Sequence, residues 1–230
     1  MPLIKGDTKL SDIVLEDPTI ATVFYRFDIA LGVGDNTVTS ICQERNLDET
    51  FFTTILNTYI SPDYFPEKIL STFKASIIID YLTQTNAYYE HYQIPNIERH
   101  FNFLLQKSDP NNNLGLMMNF FHEVKVELLH RIKNDQEVWF PRILQCESQD
   151  NTCSPGNETE IQESQDSIED KIDDLINMFV IYLKGNYDSN LCQAVLIVLF
   201  SLKKDITQNN RIRYRILSPL SQVLMTGKES

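Results

Sequence analysis

Residues 114–139 read LGLMMNFFHEVKVELLHRIKNDQEVW, and this stretch decides the fold. Positions 117, 121, 124, 128, 131, 135 and 138 follow alternating spacings of three and four, and five of them are apolar: Met117, Phe121, Val124, Leu128 and Val138. Such spacing places them on one face of an α-helix. The stretch therefore predicts a long amphipathic helix over Leu114–Trp139, which stops before Pro141.

Three further stretches carry the same pattern. They predict helices over Lys68–Lys107, with Pro95 able to kink the chain, over Ser167–Leu183 and over Ser189–Leu217. The stripe of the third helix is Ile168, Ile172, Leu175, Phe179 and Tyr182, and that of the fourth is Val195, Leu199, Leu202, Ile206 and Ile216. Four such helices with two short connections and one longer crossing predict an all-α protein with an antiparallel four-helix bundle.

A small helical domain is expected to precede the bundle. Its predicted helices are Leu10–Asp17, Thr19–Phe27, Thr37–Arg45 and Asp48–Tyr59. The predicted domain organisation is residues 1–60 for this domain, a proline-stiffened linker at 61–66, and the bundle at 67–230. The polar stretch 146–165 predicts a mobile loop whose role the sequence leaves open.

Composition narrows the function classes. The formal net charge is −12 and the sequence pI is about 4.7, so the surface repels phosphate backbones and nucleic acid is not expected as a partner. No apolar run approaches the length that crosses a bilayer, and the N-terminus lacks an export signal. We therefore expect a cytoplasmic protein with no membrane partner.

The four cysteines are Cys42, Cys146, Cys153 and Cys192, and none forms a C-x-x-C motif. Four free thiols are the favoured reading, since nothing else in the sequence indicates export. A bridge between Cys146 and Cys153, which share a predicted loop, is the alternative.

Polar residues interrupt the apolar stripes at one level. On the faces expected to be buried, the sequence has Asn86, Arg131, Asp135, Asn209 and Arg213. Buried polar side chains cost free energy unless they are paired, so such a cluster requires an explanation.

Several motifs resemble the iron–sulfur cluster repair branch of the hemerythrin-like proteins. The stretch YRFDIALGVGDNTV at 25–38 is similar to that family's small N-terminal domain, in the version of a Bacteroidetes branch that has glycines where many members have a cysteine pair. The stretches YFPEK at 64–68, IDYL at 79–82, IPNI at 94–97, EVWFP at 137–141 and ILSP at 216–219 resemble the linker and helix ends of that branch. The resemblance covers nearly the whole chain and implies the family's fold.

In that family the bundle holds two iron ions. The resemblance implies a histidine from the first helix, an H-x-x-x-E from the second, a histidine from the third and an H-x-x-x-E from the fourth. In this sequence those positions fall on Asn86, on Arg131 and Asp135, and on Asn209 and Arg213, and no histidine follows His130. The resemblance thus implies a degenerate di-iron site with no resident metal or other cofactor.

The four histidines are His91, His100, His122 and His130. Glu127 and His130 form one E-x-x-H, whereas ferritin-like sites need two copies and two further glutamates. Surface histidines are expected, and a single metal ion held by His130 with nearby carboxylates stays open.

A charge argument leads to a hypothesis for the replaced site. Carboxylates left without metal would carry uncompensated buried charge. We hypothesise that Asp135 pairs with Arg213, Arg131 or both, and that Asn86 and Asn209 hydrogen-bond nearby. The alternative is that Arg131 turns outward and only Arg213 is internal.

Three functions compete. The first is a metal-free, non-catalytic binding or regulatory module of a stress response. The second is a working iron protein that repairs iron–sulfur clusters under nitrosative or oxidative stress, and the third is a regulator that acts through a protein partner. No nucleophilic triad has a recognisable context, so an enzyme is not expected. The partner, any substrate and the oligomeric state stay open.

Overall fold

The computed structural model describes residues 3–148 and 167–226. Within these ranges the chain is helical and has no β-strand, only one isolated antiparallel bridge between Lys9 and Thr37. The predicted all-α class is confirmed. The chain divides into two compact units, Met1–Thr85 with Arg211–Ser221 and Asn86–Asn210 with Gln222–Ser230.

The first unit begins with short helices whose ends are fixed by side chains. The elements are α1 Leu10–Glu16, a 3₁₀ turn Pro18–Ile20, α2 Ala21–Arg26, α3 Val38–Arg45, α4 Glu49–Ile60 and α5 Glu67–Leu70. Thr37 and Ser40 form a reciprocal capping box at α3, and Asp48 accepts the N–H of Phe51 at α4. The four helices predicted before residue 60 lie within a few residues of these bounds.

The predicted linker packs inside the first unit. The guanidinium carbons of Arg211 and Arg215 lie 4.4 and 4.6 Å from the centre of the Phe65 ring. Arg215 Nε also donates to Glu67 Oε1 at 2.6 Å. Burial, followed by the charge of Arg215, lowers the pKa of Arg211.

The long helices each contain a π turn, a turn closed by i→i+5 hydrogen bonds. They run as α6 Ala75–Tyr88, π Tyr89–Gln93 and α7 Ile94–Lys107; α8 Leu114–Asn134, π Asp135–Trp139 and α9 Phe140–Ser148; α10 Ser167–Asn177 and π Met178–Tyr182; and α11 Ser189–Ile212, π Arg213–Leu217 and α12 Ser218–Thr226.

Three predicted helix boundaries are wrong. The helix predicted from Lys68 is broken by a turn at 71–74 and begins again at Ala75. The helices predicted to end at Trp139 and Leu217 continue past Pro141 and Pro219. In both, a π turn ends two residues before the proline, and its widened geometry displaces the carbonyls that a proline ring would meet in a regular α-helix.

The π turns also change which residues face inward. Val138, predicted on the buried stripe, is 56% exposed, while Trp139 is 3% exposed. The extra residue of the turn rotates the following side chains around the axis. Tyr182, predicted on the stripe of the third helix, is 59% exposed because it ends a π turn after which the helix stops.

The core of the second unit draws on α7, α8, α10 and α11. Phe101 lies at its centre, with ring centroids 5.9 Å from Phe121 and 5.2 Å from Phe179. Apart from Val138 and Tyr182, the predicted stripe residues of α8, α10 and α11 are buried.

Two connections of the second unit lie side by side. Asn113 donates from Nδ2 to the carbonyl of Tyr182 and accepts the N–H of Lys184, both at 2.8 Å. Gly185 has φ +88°, and a Cβ on it would lie 2.9 Å from the Cα of Asn112. The close approach and the positive φ both require glycine there.

Cys42 and Cys192 are free, as expected, and both are buried. Cys146 is disulfide-bonded, so the prediction of four free thiols is wrong. Cys153 and most of the predicted 146–165 loop lie outside the described residues, although residues 146–148 belong to α9. Among the described helices, none is long and apolar enough to cross a membrane.

Candidate functional site

The five polar positions singled out by the sequence are all inside the protein. Their exposed fractions are 0% for Asn86, 7% for Arg131, 0% for Asp135, 2% for Asn209 and 3% for Arg213. Arg131 is therefore buried rather than turned to solvent.

Asn86 and Asp135 are in direct contact in the second unit. Asn86 lies in the last turn of α6, and Asp135 is the first residue of the π turn after α8. Asn86 Nδ2 donates to Asp135 Oδ2 at 3.0 Å. A hydrogen bond to an ionised acceptor is among the stronger ones in proteins, and here it joins side chains 49 residues apart.

Arg131 begins a chain of hydrogen bonds through three helices. Its Nη1 donates to Asn210 Oδ1 at 2.9 Å, and Asn210 Nδ2 donates to Glu169 Oε2 at 3.0 Å. Thr207 Oγ1 donates to the other oxygen of Glu169. The guanidinium of α8 is thus connected through an amide of α11 to a carboxylate of α10.

Two amides of the second unit are incompletely satisfied. Within the described part of the chain, neither amide atom of Asn209 has a hydrogen-bond partner, and Asn86 Oδ1 has none. Such buried atoms cost about 1–3 kcal/mol each. The layer of buried polar side chains that contains Asn86 and Asn209 is therefore less favourable for stability than an apolar core of the same shape.

Arg213 belongs to the first unit. It opens the π turn after α11, and its guanidinium carbon lies 5.7 Å from the ring centre of Tyr214. The proposed pairing of Asp135 with Arg213 or Arg131 stays a prediction.

None of the four histidines is buried. His91, His122 and His130 are exposed and His100 is half-buried. Glu127, the partner of His130 in the E-x-x-H, accepts a hydrogen bond from the ammonium of Lys171. Among the described residues, no group of three or more His, Cys, Asp or Glu side chains is arranged to hold a metal ion.

The side chains that the sequence singled out are poor ligands for iron. Those in the second unit, at Asn86, Arg131, Asp135 and Asn209, comprise two amides, one guanidinium group and one carboxylate, with no imidazole. Guanidinium groups have no lone pair to give and repel a metal cation. The carboxylate of Asp135 already accepts a hydrogen bond from Asn86.

Sequence reasoning missed three members of the network. Asn210 follows Asn209, but periodicity alone assigned only one of the pair to the interior. Glu169 lies in the first turn of α10, where an acidic residue is ordinarily explained by the helix dipole. Thr207 gave no signal, because a threonine beside a buried stripe is common in helices.

The chain matches no family model and no curated protein sequence.

Proposed function

We propose that this protein is a metal-free relative of the hemerythrin-like cluster repair proteins and acts by binding a partner protein. In this proposal the helices of the second unit form a hemerythrin-like four-helix bundle. Hydrogen-bonded side chains occupy the level at which the family holds iron. The protein then serves as a non-catalytic module of a stress response.

The hydrogen bond between Asn86 and Asp135 carries the proposal. The family pattern assigns these positions to metal ligands of the first and second helices, and their side chains lie 3.0 Å apart inside the protein. Two positions that ligated the same metal pair would be neighbours in this way. The contact supports the resemblance, while the amide of Asn86 and the guanidinium group of Arg131, one turn before Asp135, argue against metal.

The alternative function, iron-dependent cluster repair, requires ligands that these positions lack. Arg131 places a buried cation one helical turn before Asp135, on the same face of α8. Two ferrous or ferric ions beside that cation would be strongly repelled, since charges interact more strongly inside a protein than in water.

Anaerobic titration with ferrous iron tests the proposal. The natural chain is compared with a variant carrying Asn86→His, Arg131→His, Asn209→His and Arg213→Glu, and with Arg131→Gln, which removes the cation without adding a ligand. We expect the natural chain and Arg131→Gln to take up no stoichiometric iron, and the four-residue variant to bind ferrous iron. Uptake of two ferrous ions by the natural chain would overturn the proposal.

A further inference from the structure

A cleft of about 950 Å³ opens on the first unit. It is formed by the end of α2, the end of α3, the start of α4 and the middle of α6. Its volume is at the upper end of the range for pockets that hold small molecules or side chains. None of its lining residues belongs to the buried polar network of the second unit.

Aromatic rings form the floor of the cleft. Phe27 stacks on Tyr81 with ring centroids 5.6 Å apart and planes at 30°, and Phe51 meets Tyr81 edge-on at 6.2 Å. Phe51 and Tyr81 are buried, so packing fixes their orientation. The half-buried ring of Phe27, held in place by these contacts, offers apolar surface to a ligand.

One cationic side chain of the first unit, Arg26, already contacts the aromatic floor. Arg26, which is 4% exposed, donates from Nη1 to the hydroxyl of Tyr81 at 2.9 Å, and its guanidinium carbon lies 5.7 Å from the ring centre. The contact shows that the aromatic cluster accommodates a guanidinium group.

The rim of the cleft is acidic. Its lining has the carboxylates of Asp28, Glu44, Asp48 and Asp80 against the guanidinium groups of Arg26 and Arg45, an excess of two negative charges. Arg45 already pairs with Asp28 at 3.1 Å and with Glu44 at 3.4 Å.

Two rim carboxylates have different local roles. Asp48 caps α4 by accepting the N–H of Phe51. The side chain of Asp80 is exposed and makes no hydrogen bond or ion pair within the described ranges. Asp80 is therefore the carboxylate that an incoming cation meets.

We propose that this cleft binds an arginine or lysine side chain presented by a segment of a partner protein. The aliphatic stem of such a side chain packs against the ring of Phe27, and its charged end meets Asp80. The net charge of −12 attracts a basic segment from a distance and repels nucleic acid. The proposal deepens the proposed function by naming the chemistry of the partner.

The test is fluorescence anisotropy of a fluorescein-labelled heptapeptide, with two arginines among glycines and serines, titrated with the full chain. A matched peptide has citrulline in place of arginine, which keeps the shape and removes the charge. We expect binding of the arginine peptide, with affinity about tenfold lower for citrulline.

Two variants locate the binding. Asp80→Asn removes the free rim carboxylate, and Asp7→Asn removes the same charge from an exposed position of the first unit outside the cleft. We expect Asp80→Asn to weaken arginine-peptide binding about threefold and Asp7→Asn to leave it unchanged. Absence of binding, equal binding of the citrulline peptide, or equal effects of the two variants would overturn the proposal.

This result is independent of the metal test. The residues substituted in the iron test lie between positions 86 and 213, whereas the residues that line the cleft lie between positions 25 and 84. A chain that takes up iron and binds the peptide contradicts the proposed function alone. A chain that takes up no iron and ignores the peptide contradicts only the inference about the cleft.

Discussion

Helix α8 has an aromatic level and a polar level. At Phe121 its side chain packs against the ring of Phe101 and neighbouring apolar side chains, whereas at Arg131, ten residues later, the same helix buries a guanidinium group. The two levels are about 15 Å apart along α8. The aromatic level, centred on Phe101, Phe121 and Phe179, stabilises the unit by removing apolar surface from water. The polar level, formed by Asn86, Arg131, Asp135, Asn209 and Asn210, leaves buried amide atoms without partners.

The difference separates side chains that stabilise the unit from side chains whose burial costs it stability. A helical unit of this size does not need buried arginine to fold, and an apolar core of the same shape would be as stable or more so. The polar level is therefore not explained by its contribution to stability, which agrees with the proposal that it replaces a metal site. Substitutions at the two levels should differ in size and in chemical character.

The largest expected effect is at the aromatic level. Phe101→Ala removes a fully buried ring and should lower the free energy of unfolding by about 3–5 kcal/mol. The control is Phe103→Ala, at a 48% exposed position of the same helix, with an expected change within about 0.5 kcal/mol. Urea denaturation measures both. Equal effects would mean that the aromatic level is not the core.

A smaller effect is expected at the polar level. Asp135→Ala removes the charged acceptor of the Asn86 amide and should cost about 1.5–3 kcal/mol of unfolding free energy. Glu137→Ala, on the exposed side of the same π turn, is the matched control. A double-mutant cycle with Asn86→Ala should give a coupling energy of about 1 kcal/mol between the two side chains. A coupling energy near zero would show that their hydrogen bond does not contribute to stability.

Two glycines of the second unit should respond in opposite directions. Gly185→Ala should lower the free energy of unfolding by about 1 kcal/mol or more, because the φ of +88° is strained for alanine and Asn112 is too close. Gly115→Ala lies in α8, where an added Cβ meets nothing within 4 Å, and should raise it by about 0.5 kcal/mol. Thermal unfolding of both variants checks the signs.

The smallest effect is a chemical one in the apolar core. Burial raises the pKa of Cys192, so its reactive thiolate is scarcer in the folded chain than in the unfolded chain. Alkylation by iodoacetamide at pH 8 should be slower in the native protein, as read by peptide mass spectrometry. Native reactivity equal to that in urea would show that the apolar core admits water.

The alkylation of Cys42, the other free and buried cysteine, can be followed in the same experiment. Burial raises its pKa from 9.0 to about 11. A raised pKa means that the protonated thiol is favoured by folding. This contribution to stability is present below pH 9.0 and is lost as the pH rises towards about 11. Accelerated alkylation of Cys42 should therefore appear only in strongly alkaline solution.

The sequence predicted the helices better than their ends. Periodicity placed Phe121, Leu128 and Leu199 inside, because a stripe of large apolar residues has one favourable orientation. Pro141 and Pro219 were read as helix ends, since propensity does not reveal that a π turn can accommodate a proline. The same turns exposed Val138 and buried Trp139, a change of register that no regular period predicts.

The site was predictable in its positions but not in its bonds. The apolar faces and the family pattern together singled out Asn86 and Asp135, which are in contact. The bond from Arg131 to Asn210, and onward to Glu169, depends on the rotation of three helices about their axes. That rotation is set by packing throughout the core, so local sequence does not determine it.

The iron content of the protein, purified from cells grown with abundant iron, tests the central claim most directly. Metal is quantified per chain by inductively coupled plasma mass spectrometry, alongside the absorption spectrum. We predict colourless protein with iron far below one ion per chain, because in the proposal guanidinium and amide groups occupy the positions that the resemblance assigns to ligands. Two iron ions per chain with ligand-to-metal absorption would contradict it.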